Sequence, residues 1–196
     1  MPVANYVAAF QGGKSIEADG DARTARHRVL EVSAVTGMTF RPFESKPLPD
    51  SYAPPAEHHV RRGDPLFSRA NTTDLVGAVA LVAETSPNFV LPDKLWRFVW
   101  HAPSKVESMF IWALFQTAHM REELGQRASG TSGSMKNISQ VKLMSMPWIL
   151  PPLPIQQEFA RRVCAVQHLK TPSAAASQAA DTLFASLQHR AFRGEI

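Results

Sequence analysis

At 196 residues the chain suits one ordinary domain with a long appendage rather than two full domains, and 44% hydrophobic against 19% charged residues excludes a disordered chain and predicts a packed core. The net charge of +4 and a pI near 9.5 favour an anionic partner without naming one, while a single cysteine, Cys164, excludes an intramolecular disulfide or a thiolate-rich zinc site and suits a reducing interior. No basic leader opens the chain and no run approaches the roughly 18 apolar residues of a membrane span, so no membrane partner is expected and the cytoplasm is the expected compartment.

Residues 1 to 59 hold short apolar pieces (Val29, Leu30, Val32, Val35) separated by Gly12, Gly13, Gly20, Gly37 and a proline-rich stretch, and they predict short strands and loops. From Val60, two apolar cores, around Leu66 and Phe67 and from Val76 to Val82, flank a turn-forming stretch with Asn71, Thr72, Thr73 and Asp74. A strand, an excursion and a second strand follow from that pattern. In LWRFVW, Leu95, Arg97 and Val99 alternate with Trp96, Phe98 and Trp100, a period of two that predicts another strand.

The period then lengthens. Val106, Phe110, Ala113, Leu114, Thr117, Arg121 and Leu124 recur at steps of three and four after Ser104 and Glu107, which predicts one amphipathic helix opened by a capping box and ended near Gly125. The Gly- and Ser-rich segment beyond it holds Arg127 and Lys136 and no acid up to Val141, a composition suited to phosphate. Prolines 151, 152 and 154 place a domain boundary near residue 151, with Pro154 tolerated in a first helical turn. Beyond it, Ile155, Phe159, Val163, Val166 and Leu169 form one helical stripe, and Ala176, Ala180, Leu183, Leu187 and Ala191 form another. Pro172, between them, predicts a kink or break.

The segments GDPLFSRANTTDLVGAVALV, FIWALFQTAHMREEL, ASGTS with KNIS, PWILPPLPIQQEFARRV and LFASLQHRAFRGEI follow one another in the order found in specificity subunits of type I restriction-modification systems, and the chain resembles that family over nearly its whole length. The resemblance implies an α+β fold: a target-recognition domain with a mostly antiparallel sheet and packed helices over residues 1–150, then a coiled-coil-type spacer helix over 151–196. It implies no catalysis and no cofactor in this chain. The implied partners are double-stranded DNA, methyltransferase subunits, a restriction subunit reached through the complex, and a second copy paired through the C-terminal helix. Members typically carry two recognition domains, each followed by a long helix, and this chain resembles one such half; a natural half-length subunit and a piece of a longer one both fit. A remnant that assembles without reading DNA is the alternative function.

Within that frame, Arg41, Lys46, Arg61, Arg62, Arg69, Asn71, Lys105, Arg127, Ser129, Thr131, Ser132, Ser134, Lys136 and Asn137 are the candidate DNA contacts, because arginine and asparagine can grip purine edges while lysine and hydroxyls hold phosphate. Arg69 also reads as a brace for its own strand. Ile155, Phe159, Val163, Val166, Leu169, Ala176, Ala180, Leu183 and Leu187 are the candidate helix-pairing residues. AAFQGGKS lacks the first glycine of a phosphate loop and precedes a poor helix former, so Gly12 and Gly13 are read as a turn between strands, with Lys14 solvated or near phosphate. Glu44, Ser45 and Lys46 resemble part of a nuclease metal set but read better as a solvated loop. His58 and His59 lack a third ligand, so no metal is expected. The tryptophans read as core rather than as stacking platforms for bases.

Overall fold

The computed structural model describes residues 1–17, 21, 24–85, 88–130 and 135–194, with the backbone alone at 170–177 and 179. The chain divides into two compact units, Met1–Gln156 and Gln157–Ile196. In chain order the first unit runs through strand β1 (Val7–Gly12), β2 (Arg28–Leu30), helix α1 (Ser33–Thr36), β3 (Ser45–Pro47), β4 (Pro65–Ser68), β5 (Ala70–Asn71), β6 (Val79–Leu81), β7 (Phe89–Val90), β8 (Leu95–Trp100), helices α2 (Ser108–Leu114) and α3 (Ala118–Arg127), β9 (Lys136–Asn137) and helix α4 (Gln140–Met144). It also holds the first turn of a 40-residue helix, α5 (Leu153–Phe192), which makes up most of the second unit.

The alternating LWRFVW segment forms β8, at the centre of an antiparallel sheet of order β1-β8-β4-β6. Its alternation places two cores on the two faces of that sheet. Trp96 and Phe98 join Phe10, Phe67 and Val79 on one face, under Ile111, Phe115, Met120, Leu124, Leu143 and Trp148; Leu95 joins Leu66, Ala80, Leu30 and Val35 on the other. Burial on both faces explains why β4 reads as the unbroken run PLFS rather than as an alternation. Around Phe115 the rings of Phe67, Phe98 and Trp148 lie at centroid distances of 5.9, 5.8 and 5.8 Å, all edge-on, an arrangement that adds to the area they bury. A smaller sheet, β3-β2-β7, pairs β2 with β7 in parallel, an exception to the antiparallel rule, over a third cluster of Val29, Leu48 and Val90. The unit is therefore mixed α+β with antiparallel sheets, as expected.

Several local expectations are corrected. The single helix expected over residues 106–124 is two. Glu107, not Ser104, caps α2 by accepting from Phe110 N at 2.9 Å, and Thr117, in extended conformation, opens α3 by accepting from Met120 N at 3.3 Å. The helical period misleads because Met120 and Leu124 still face the same core after the interruption. Gly125 lies inside α3 rather than ending it. Residues 33–36 form a helix rather than part of a strand, the second apolar core after Asp74 contributes strand only at Val79–Leu81, and Ser45 to Pro47 are strand rather than loop. Gly12 is the last residue of β1, not a turn; a Cβ on Gly13 would stand 1.7 Å from the Leu91 carbonyl oxygen, so a close backbone approach requires glycine there. α5 runs through Pro172 without the expected break.

One buried cation holds a large part of this unit together. Arg97 projects from β8 beside Leu95, where its guanidinium donates to the carbonyls of Glu57 and His59, each at 2.8 Å, and lies 3.4 Å from the Asp64 carboxylate. Burial raises the Asp64 carboxyl above its ordinary value, against the lowering effects of the Arg61 backbone N–H and of Arg97. Removing one partner of such a buried pair leaves an uncompensated charge, so Arg97→Met is expected to cost about 3 kcal/mol in urea unfolding, and a loss below about 1 kcal/mol would show the pair to be dispensable.

The fold also carries a pH dependence. Burial, His59 and Arg26 lower the His27 pKa, and its ring lies 5.5 Å from that of His59. A histidine lowered in the folded state stabilises the fold fully above the unfolded value of about 6.5, and that contribution is lost as pH falls below it. The thermal midpoint is expected to fall between pH 7 and 5, and His27→Gln to flatten that fall; an unchanged slope in the variant would contradict the assignment.

Candidate nucleic-acid interface

The segment after α3 folds back on itself. Ser129 and Asn137 exchange both backbone hydrogen bonds at 2.8 Å, and β9 pairs with β5 so that Ala70 faces Asn137 and Asn71 faces Lys136. Gly130 takes a positive φ of 153°, and its carbonyl accepts from Lys136 Nζ at 2.8 Å. Buried Ile138 anchors this ribbon to the core, and its N–H donates to the Arg69 carbonyl. Of the candidate contacts, Arg69, Asn71, Ser129, Lys136 and Asn137 are thereby brought together at the end of the central sheet where Ser68 faces Leu95.

Their side chains differ in what they already hold. Arg69 donates through Nε to the Asp93 carbonyl at 2.8 Å, lies 3.5 Å from the Asp93 carboxylate, and stands 5.5 Å from the Trp96 ring centroid. These contacts match the brace reading of this residue. Asn71 accepts from Thr72 N and donates to Thr36 Oγ1 at 3.3 Å, which ties the ribbon to the end of α1. Exposed Arg41 lies over Gly37 in the turn that follows α1, close enough that a Cβ there would stand 3.0 Å from Nη2.

Two further cations at this end, Lys94 and Lys142, were missed as candidates, and Lys14, read from the sequence as solvated or near phosphate, lies here as well. Gly13 N donates to the Pro92 carbonyl, which sets Lys14 beside segment 91–94, and Arg69 N donates to the carbonyl of exposed Lys94. Lys142 Nζ reaches the Arg127 carbonyl at 3.0 Å. Lys94 had a readable signal: it sits in the polar turn PDK directly before β8, at the sheet end where loops gather.

Other candidates lie elsewhere. Lys46 pairs with Glu31 at 2.8 Å on β3, and Glu44 accepts from Ser33 Oγ. Arg61 and Arg62 precede β4, separated from Arg69 by the length of that strand, about 13 Å. Lys105 follows the far end of β8, and its carbonyl accepts from Gln156. Arg127 belongs to α3 rather than to the acid-free loop, and is ion-paired with Glu123 one turn earlier. Thr131, Ser132 and Ser134 lie outside the described residues. Among the described residues no group of three metal-ligating side chains gathers.

On α5, Ile155, Phe159, Val166, Leu169, Ala180, Leu183 and Leu187 are exposed and Val163 is half-buried, while the side chain of Ala176 lies outside the described residues. No helix among the described residues is long and apolar enough to cross a membrane.

No family model matches the chain. Among curated proteins it is 35% identical over 129 residues to the EcoEI type I restriction enzyme specificity subunit of Escherichia coli, which covers 65% of this chain and 21% of that one. It is 28% identical over 176 residues to the EcoKI specificity subunit of Escherichia coli strain K12, covering 87% of this chain and 37% of the relative. The chain thus spans well under half the length of either relative. Among solved structures, the S subunit of a type I restriction-modification system from M. genitalium matches with a TM-score of 0.50 at 12% identity, over 74% of this chain and 32% of that one, which supports the fold. Its sequence is thus similar to those of type I restriction enzyme specificity subunits, over part of their length.

Proposed function

We propose that residues 1–150 form a DNA-reading domain for one half-site of a bipartite target, and that residues 151–196 supply a spacer helix that docks methyltransferase subunits and, through the complex, a restriction subunit. The observation that carries this reading is the convergence of basic, amide and hydroxyl side chains from five separate segments on one sheet end: Lys14; Arg41; Arg69 and Asn71; Lys94; and Ser129, Lys136 and Asn137. The net positive charge and the family of the two Escherichia coli relatives support it. No catalytic step is assigned to this chain, and it needs no cofactor for the role.

In this reading Lys94 and Lys136 hold phosphates, which sets position and register without reading sequence, and the surrounding amide and guanidinium groups face base edges. Two copies pairing antiparallel through the apolar positions of α5 would present identical domains to an inverted repeat, since identical halves read identical half-sites. The domain still needs a partner to set the spacing, and the exposed Leu183 and Leu187 are the positions that would pack in such a pair.

Duplexes selected from a random pool by the full chain with its methyltransferase partner test the reading. Binding is expected to weaken steeply with salt, and Lys94→Ala and Lys136→Ala should each reduce the slope of log K against log salt by about 1, uniformly across sequences. Recovery of no duplex at 50 mM salt, or a slope unchanged by both variants, would overturn it.

A further inference from the structure

The first unit keeps its large aromatic side chains inside, with one exception among the described residues: Phe43 is 75% exposed. A single exposed apolar residue needs no explanation by itself. This one belongs to a tight turn, Arg41-Pro42-Phe43-Glu44, in which Glu44 N donates to the Arg41 carbonyl at 3.1 Å and proline fixes the second position. Arg41, two residues earlier, is exposed, and among the described residues no carboxylate pairs with it.

The turn is held from several sides. Arg41 N donates to the Ala34 carbonyl and Glu31 N to the Glu44 carbonyl, each at 2.9 Å. The Glu44 carboxylate is drawn back onto Ser33 Oγ at 2.8 Å, which keeps the one acid of the turn engaged within the protein. Just before it, Met38 takes a left-handed φ of 57°, a strained conformation for a side-chain-bearing residue, and Trp112 Nε1 donates to its carbonyl at 2.8 Å. Thr36, at the end of α1, accepts from Asn71 and so joins this strained, braced loop to the ribbon that carries Lys136.

We infer that the Arg41–Glu44 turn is a base-reading element in which Phe43 stacks on or wedges into a base step of duplex DNA while Arg41 grips the adjacent purine edge. The inference rests on the DNA-reading function proposed above. A rigid aromatic next to a guanidinium on a preorganised turn matches what a base step offers: a π-face or an opened stack for the ring, and paired acceptors for the fork. Met38, Trp112 and Thr36 act in it as positioning residues, since they hold the turn and do not contact DNA.

The test uses the full chain with its methyltransferase partner and a duplex recovered from a random pool by the wild-type protein. Phe43→Ala is expected to weaken binding roughly 10- to 100-fold with the salt slope and thermal midpoint unchanged, and Phe43→Tyr to restore it. Arg41→Lys, which keeps the charge but not the planar fork, is expected to relax base preference at one position of the site. Wild-type affinity in Phe43→Ala overturns the inference while leaving DNA reading intact, whereas a wild-type protein that recovers no duplex overturns DNA reading itself. An affinity loss accompanied by a lower midpoint or a shallower salt slope marks a structural or phosphate-positioning role. Loss of methyltransferase association with DNA affinity intact marks a protein-docking turn. Either of these last two results also overturns the inference.

Discussion

The packing of Phe98 and Phe67 against Phe115, and of Phe115 against Trp148, is the contact on which the first unit depends. It joins the central strand, its neighbour, the helix after it and the segment leading to α5 into one cluster, while Leu95 and Leu66 bury the opposite face of the same strands. A sheet covered on both faces offers ligands its ends and edges. Loops from distant parts of the sequence meet at the end where β4 stops and β8 begins, and a large aromatic core fixes their spacing.

The fate of the arginines and lysines follows from where that core places them. Arg97, at the middle of β8, is surrounded by carbonyls and a carboxylate and serves the fold. Arg127, turned along α3, pairs with Glu123. Arg69 divides its groups between Asp93 and the Trp96 ring. Lys94 and Arg41 stand on turns at the sheet end and are exposed, where a cation can meet phosphate or a base edge without first breaking a buried pair. A count of basic residues cannot separate these groups; a list of their partners can.

Much of the architecture was legible in the residues. The alternation of LWRFVW marked the central strand at its observed bounds, and the proline triplet led directly into α5, with Pro154 in its first turn. The interruption between α2 and α3 was not legible, because Met120 and Leu124 keep the helical period across it while the stop signal, Thr117 as a cap, is a single hydroxyl. Gly125 misled because a glycine inside a helix costs only about 1 kcal/mol, so its identity alone does not end the element, and Pro172 does not break α5. The candidate site was half legible. Asn71 and Lys136 were recognisable as polar residues on loops, but their pairing across β5 and β9 depends on two-residue strands that leave no periodic trace. Lys94 sat in a readable turn, but Arg69 becomes its neighbour only through the folded sheet, and no pattern in the sequence marks Phe43 as exposed.

The central claim, that this chain selects the DNA sequence on which a type I modification complex acts, is tested most directly by methylome sequencing of cells expressing it with its methyltransferase subunit, against the same cells lacking it. The account predicts a bipartite methylated motif that disappears when the chain is removed and whose half-sites are inverted copies of each other. An unchanged methylome, with the two proteins soluble and associated, would contradict it and leave an assembly module that does not read DNA.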